Sequence, residues 1–381
     1  MNFLFVAPRY HTNSIKWVET LKSKKHNVYY AVINQSKIED YSSIKPTLFN
    51  KSKLSNIIIK IIGNSGSNNF RSFPSLKLVN QYINKINPDV VIIRDITRWF
   101  SLIFFISLIF FNTKTKKTII FYNQNPITER ITLIRKIIIK IIKNLFNVKF
   151  VSSILEGFDY QQNQISYKKN HIFFMNFVTE NNFYYKQKYK KNSYNSYKIL
   201  TVGKYEERKN FFFLVDAISD IIKKDSKIKI SVSIVGENSK LSHNNYKKRL
   251  IKYTRKKKLS EIFFFYENIK YKDMPKFYSS SDLFILPAYE EPASYSILEA
   301  LSHGCPVICS SQCGTKSYIK HNVNGYIFKN NSKSDLIKYI HEITNRDKYI
   351  NLKKNTFNLS NRYMSSDIFY KKIKYIINEQ N

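Results

Sequence analysis

The sequence predicts two α/β domains, each built on a parallel sheet with helices on both faces. Two observations carry this. Short β-rich runs alternate with longer segments of helical periodicity along nearly the whole chain, a pattern that specifies parallel strands joined by helical crossovers. A polar stretch at 184–197, YYKQKYKKNSYNSY, divides the alternating series near its middle. The length agrees: 381 residues, at roughly 100–200 per domain, make two domains with ample cores.

In the first half, strands are expected at 2–7, 28–33, 90–94, 118–122, 149–152 and 172–176, where Val, Ile, Phe and Tyr cluster. The opening MNFLFVAP has no basic n-region and no small-residue cleavage site, so it reads as a buried strand and not as an export signal. Helices are expected at 13–24, 74–86, 99–111 and 127–146. The run FSLIFFISLIFF at 100–111 is the longest apolar one. It falls short of the roughly 20 residues a membrane span needs and reads as a core helix. Residues 51–69 interrupt the alternation with an apolar segment and the loop sequence GNSGSNN.

In the second half, strands are expected at 199–203, 228–236, 262–265, 283–287, 306–309 and 325–328. Helices are expected at 210–223, 245–258, 274–280, 294–302, 335–344 and 365–378. Residues 1–184 are therefore assigned to an N-terminal domain, 185–197 to a linker and 198–364 to a C-terminal domain.

The chain holds 63 Lys and Arg against 27 Asp and Glu, a formal charge of +36. A hydrophobic content of 43% excludes a disordered chain, and three cysteines exclude a disulfide scaffold. Such charge points to an anionic partner. No helix-turn-helix, zinc-finger or RNP pattern occurs, so nucleic acid is not the expected one. Residues 131–150, ITLIRKIIIKIIKNLFNVKF, carry five basic residues and no acid. Lys136, Lys140, Lys143 and Asn147 form one helical stripe beside a wide apolar face, which suits an anionic membrane surface. An ordinary domain helix with a solvated edge is the alternative. The expected place is the cytoplasm, with peripheral attachment to the inner face of the membrane.

Ligands of such sheets bind beyond the carboxyl ends of the strands, so the expected site is a cleft where two sets of ends face each other. Gly203 ends one strand and permits a sharp turn close to a ligand. Lys204 and Lys209 could converge on one diphosphate and stabilise it as it departs, solvated lysines of a Lys-rich chain being the alternative. The buried strand DLFIL leads into PAYEEPASYS, with Glu291 in the loop and Glu299 eight residues on in a helix. Carboxylates so placed can bind vicinal hydroxyls, and amides near Ser294 at the helix start attract phosphate. There is no Asp-x-Asp clamp, and Cys305, Cys309 and Cys313 match no zinc spacing, so no metal is expected and the thiols read as reduced.

The run SSSDLFILPAYEEPASYSILEALSHGCPVICSSQCGTKSYIKHNVNGYIF resembles the donor-site signature of glycosyltransferase family 4. ILTVGKYEERKNFFFLVDAI resembles that family's phosphate-binding segment, and SIVGENSK its next strand and turn; together they span about 199–328. The resemblance implies a GT-B fold, two Rossmann-like domains facing a central cleft. It implies retaining transfer of a sugar from a nucleotide diphosphate sugar, with no metal or other cofactor. By position, Lys204 and Lys209 would hold the diphosphate and Glu291 would act as the catalytic contact to donor-sugar hydroxyls. The amides of Ala293 and Ser294 would lie near sugar and phosphate, and Glu299 would bind the ribose. Helix 365–378 would pack back on the N-terminal domain.

The chain departs from the family pattern at several places. Lys204 stands where Arg is common, Pro292 where Gly is common, and PRYHTN replaces a Gly-Gly loop after the first strand. TIIFYNQNP, with Tyr122 and Asn123, occupies the place where many members carry a His; His11 is the candidate substitute, a lone surface His being the alternative. Arg94 and Asp95, just after VVIIR, are candidates for acceptor phosphate or hydroxyls, a local ion pair being the alternative. The expected acceptor is a lipid-linked or cell-surface glycan precursor. A GT-B nucleotide-sugar epimerase and a catalytically silent basic binding protein are the competing readings.

Overall fold

The computed structural model describes residues 1–35, 39–63, 71–111, 117–124, 137, 141–142, 146, 148–169, 171–179 and 196–379. They form two compact units. The first comprises Met1–Ser153, Gln164–Val178 and Ser366–Asn381; the second comprises Ile154–Asn163 and Thr179–Ser365. Lys136, Lys140, Lys143 and Asn147 of the expected basic stripe lie outside the described residues, as do 185–195 of the expected linker.

The first unit is built on strands β1 (Asn2–Val6), β2 (Asn27–Val32), β3 (Thr47–Leu48), β4 (Val90–Arg94), β5 (Thr118–Asn123), β6 (Val148–Ser152), β7 (Lys168–Lys169) and β8 (Ile172–Phe174). They lie in the order β3-β2-β1-β4-β5-β6-β8-β7. Only β7 runs antiparallel, to β8. Helices α1 (Thr12–Ser23), α2 (Lys53–Ile62), α3 (Leu76–Ile86) and α4 (Trp99–Phe110) connect them. The apolar run of α4 lies in the core: Phe100, Phe104, Phe105 and Leu108 pack with Leu4, Val91, Ile93 and Phe121 of the sheet. On α1, buried Trp17 stacks on Phe369 of the last helix, Ser366–Asn378, with ring centres 5.3 Å apart. Its indole N–H donates to the Asn176 carbonyl at 3.0 Å. Burying two large rings and satisfying the indole N–H holds the chain's end against the first unit.

The second unit has strands β9 (Ser196–Val202), β10 (Lys229–Gly236), β11 (Phe263–Glu267), β12 (Leu283–Leu286), β13 (Val307–Ser310) and β14 (Gly325–Phe328). All pairings are parallel, in the order β11-β10-β9-β12-β13-β14. The helices are α5 (Phe211–Lys224), α6 (Leu241–Lys256), α7 (Met274–Ser280), α8 (Tyr295–Ser302), α9 (Lys333–Thr344) and α10 (Arg346–Tyr363). In each sheet the strand order reverses beside the first strand, β1 or β9. At such a reversal the connections leave to opposite sides, which is where open α/β sheets generally bind ligands.

Three features differ from expectation. Residues expected as an irregular break contain helix α2. Helix α10 was not expected at all, because its buried stripe is Tyr349, Leu352, Thr356, Ser360 and Tyr363. Thr and Ser in that stripe hide the apolar periodicity. The range 1–184 is also not one continuous unit. Ile154–Asn163 belongs with the second, where Phe158 meets Tyr363 edge-on at 5.4 Å and Lys320 Nζ sits 4.6 Å from the Tyr160 ring centre.

Candidate functional site

Three strand ends of the second unit meet at one carboxylate. After β9 the chain turns at Gly203, whose N–H donates to the Val235 carbonyl at 3.0 Å. Tyr205 then plunges into the core, where its hydroxyl lies 2.8 Å from the Tyr266 carbonyl. A short 3-10 turn, Glu207–Lys209, follows, and Asn210 in the left-handed region (φ 55°) starts α5. A Cβ on Gly203 would meet the Cε, Cδ and Cγ of Lys209 at 2.9–3.3 Å, so its missing side chain makes room for the lysine stem.

After β12 the loop is stitched down from both sides. The Tyr289 N–H donates to the Arg208 carbonyl at 3.1 Å, and the Gly314 N–H to the Glu291 carbonyl at 2.8 Å. Glu291 also forms an isolated β-bridge with Cys313. Ser310, at the end of β13, donates its hydroxyl to the Ala288 carbonyl. A Cβ on Gly314 would fall 1.8 Å from the Pro292 carbonyl oxygen, so only glycine allows this approach.

Glu291, 7% exposed, is thereby fixed among cations. Its Oε2 receives Lys209 Nζ, itself 6% exposed, and Arg208 Nη1 at 2.9 Å. Arg208 also donates from Nη1 to the Glu290 carbonyl at 3.1 Å and from Nε to Glu206 at 2.8 Å. Glu206 in turn accepts from His243 Nε2 at 3.1 Å, while His243 Nδ1 accepts the Ser239 N–H at 3.3 Å, which assigns the ring proton to Nε2. Lys204 Nζ lies 3.4 Å from Glu237.

Burial alone would raise the Glu291 carboxyl; Lys209 and Arg208 outweigh it and hold it below the usual carboxylate range. Glu206 follows the same pattern, burial being overcome by Arg208, Lys204 and His243. Burial would lower the Arg208 guanidinium, but Glu291 and Glu206 raise it. Glu291 is therefore an ionised hydrogen-bond acceptor at neutral pH, not a proton donor, and its neutralised charge makes it a poor nucleophile. A carboxyl held low in the folded state adds stability that is complete above its unfolded value and is lost as pH falls through its folded value. Wild type should accordingly lose more thermal stability than Glu291→Gln on acidification through the carboxylate range. A parallel decline in melting scans would count against the ion network.

Of the expected donor-side residues, Lys209 and Glu291 touch. Lys204 adjoins the network through Glu206 and Glu237. Ser294 caps α8 without a side-chain capping bond; its hydroxyl lies 2.9 Å from that of Ser296, which reaches the Val202 carbonyl at 3.4 Å and ties the helix start to β9. Ala293, half-buried, precedes it. Glu299 sits further along α8 and accepts the Tyr278 hydroxyl at 2.7 Å. The expected list lacked Arg208, the second cation on Glu291, and its partner Glu206. Their signal is the charge cluster EERK immediately around Lys209.

In the first unit, Arg94 closes β4. Its Nη2 donates to Gln124 at 2.6 Å, while its buried Nη1 has no hydrogen-bond partner among the described residues. Burial lowers this guanidinium, against the opposing pull of Tyr122 and Tyr30. Asp95, in the left-handed region (φ 56°), pairs with Arg98 at 3.0 Å and accepts from Thr97 at 2.6 Å. The local ion pair is thus Asp95–Arg98, made by the helix start, and not Arg94–Asp95. His11 caps α1 and accepts from Arg9 Nε at 3.4 Å; Asn123 ends β5 opposite Ser152.

Residues 183–358 match the family model described as Glycosyl transferases group 1. Most of the second unit is thus similar to a glycosyl transferases group 1 domain. Among curated proteins, the chain is similar to "Spore coat protein SA" of Bacillus subtilis, 31% identical over 133 residues, 34% of each chain. It is also similar to "UDP-Gal:alpha-D-GlcNAc-diphosphoundecaprenol alpha-1,3-galactosyltransferase" of Escherichia coli, 27% identical over 158 residues, 42% of this chain and 39% of that one. The chain thus spans little more than a third of the length of either relative. Among solved structures, Anabaena Alr3699/HepE in complex with UDP-glucose matches with a TM-score of 0.70 and 12% identity, over 99% of each chain. The two parallel-sheet units are those of the GT-B fold. No described helix is long and apolar enough to cross a membrane.

Proposed function

We propose that the chain is a retaining glycosyltransferase of the family 4 type. It moves a hexose from a nucleotide diphosphate sugar to a lipid-linked or cell-surface glycan precursor. One observation carries the reading: within the group 1 domain, a buried, ionised Glu291 is held by Lys209 and Arg208 ahead of helix α8. Two similar proteins, one with UDP-glucose bound and one named for UDP-Gal and a diphosphoundecaprenol acceptor, support donor and acceptor classes.

In this scheme the bond from the anomeric carbon to the diphosphate oxygen breaks, and its electron pair leaves on the diphosphate. The acceptor hydroxyl oxygen forms the new bond, and its proton passes to the departing diphosphate. Lys204, Lys209 and Arg208 meet the charge that grows on that group, so the chemistry calls for no metal. Glu291 accepts donor-sugar hydroxyls, which orients the anomeric carbon. The amides of Ala293 and Ser294 contact sugar and phosphate, and Glu299, braced by Tyr278, takes the ribose hydroxyls. Arg94, whose Nη1 has no partner among the described residues, together with Asp95, His11 and Asn123, serves the acceptor.

The test is incubation with a panel of uridine and guanosine diphosphate sugars, with and without a polyprenyl-diphosphate sugar acceptor, in the presence of EDTA. The expected result is transfer with retained configuration, undiminished by the chelator. Conversion of a donor to a sugar isomer without acceptor would replace this reading with the epimerase. Inversion, or full chelator sensitivity, would overturn the corresponding part of the scheme.

A further inference from the structure

Helix α2 is built inside out. At about 100° per residue, Leu54, Ile57, Ile58, Ile61 and Ile62 share one arc of roughly 140°. An ordinary surface helix would turn that arc inward. Here Leu54, Ile57, Ile61 and Ile62 are 58%, 54%, 78% and 57% exposed, and the one buried residue of the helix is Ser55.

Polar contacts hold it in this orientation. Ser52 accepts the Ser55 N–H at 3.0 Å, Ser55 Oγ accepts the Phe73 N–H at 3.2 Å, and Arg71 Nη1 donates to the Ile62 and Gly63 carbonyls at 2.8 and 2.7 Å. Both ends are thereby anchored while Leu54, Ile57, Ile61 and Ile62 face outward and Ile58 and Ile59 are half-buried. Lys53 and Lys60, both exposed, flank the arc on one edge; Lys51 precedes the helix, and no acid occurs from 51 to 63.

We propose that α2 is a membrane-surface helix that lies on an anionic bilayer, its isoleucines entering the acyl boundary and its lysines meeting the headgroups. Charge favours this occupant: a chain of +36 repels a second copy of itself and is drawn to acidic lipid. Area agrees. A helix of ten residues is about 15 Å long and offers on the order of 200 Å² on one face. A stable protein interface needs about 800 Å² from each partner. For an interfacial helix, a few bulky apolar side chains with flanking cations suffice. The contact at α2 is distinct from the one expected at 131–150, whose basic stripe lies outside the described residues. It extends the proposed acceptor class, yet vesicle binding is read without donor or turnover, so either reading can fail alone.

The experiment is flotation of the full chain with phosphatidylcholine vesicles, with and without about 30% phosphatidylglycerol. Wild type should float with the anionic vesicles. Ile57→Gln/Ile61→Gln should bind at least about tenfold more weakly, with unchanged circular dichroism and melting temperature. Ile57→Leu/Ile61→Leu should bind as wild type. Equal binding by the glutamine variant would place the contact elsewhere and overturn the proposal. So would absence of wild-type binding, or a wild-type dimer that the glutamine pair dissolves with vesicle binding unaltered.

Discussion

Glu291→Gln leaves a folded protein whose sugar transfer falls by about a thousandfold or more. The amide keeps the size of the side chain but removes the charge that Lys209 and Arg208 share, so hydroxyls of the proposed donor would lose their ionised acceptor. The same change strands the buried ammonium of Lys209. Breaking one side of a buried pair typically costs about 3–5 kcal/mol, and chemical denaturation should show a loss of that order. Arg208, about a third exposed, recovers part of its solvation and softens the loss. Adding Lys209→Met removes the stranded charge and should restore most of the stability while restoring no activity. Together the two readouts separate the pair's structural contribution from its chemical one. Full turnover by Glu291→Gln would remove Glu291 from the site.

The second large effect is expected at a residue with no chemistry of its own. Gly314→Ala would place a carbon 1.8 Å from the Pro292 carbonyl oxygen, a backbone atom that cannot rotate away. The Glu291–Ser294 loop must shift by more than an ångström, and the Gly314 N–H bond to the Glu291 carbonyl goes with it. We expect about 2 kcal/mol of lost stability and roughly a hundredfold loss of transfer from misplacement. Gly203→Ala is the control. Its new carbon meets only the flexible Lys209 methylenes, at 2.9–3.3 Å, so its stability loss should be the smaller one. Equal, small effects at both glycines in thermal melts and initial rates would show that the loop is not held by this contact.

Much of the fold was legible because its strands are apolar runs separated by helix-length spacers. VVIIR and GYIF can be read as buried strands at sight, and Val90–Arg94 and Gly325–Phe328 lie where their composition puts them. Helix α10 was not legible, since a stripe that includes Thr356 and Ser360 has no apolar contrast to detect. Helix α2 was hidden for the opposite reason. Its isoleucines are conspicuous, but a mainly apolar segment whose one buried residue is a serine fits neither a core helix nor a loop. At the site, the cluster from Gly203 to Lys209 and the loop EEPAS could be singled out by type and spacing. That Arg208 joins Lys209 on one oxygen of Glu291 could not, because the two loops are 82 residues apart from Lys209 to Glu291 and meet only through parallel strand pairing.

Composition and hydrophobic period alone set the alternation of strand and helix in two series, the excess positive charge and the residue types at the ends of β9 and β12. Those properties are local. Only the tertiary structure decided which cation neutralises which carboxylate, which glycine yields space to which neighbour, and which face of α2 turns outward. Each of those depends on atoms brought within a few ångströms from distant parts of the chain, where electrostatics and packing act over distance in space and not along the backbone.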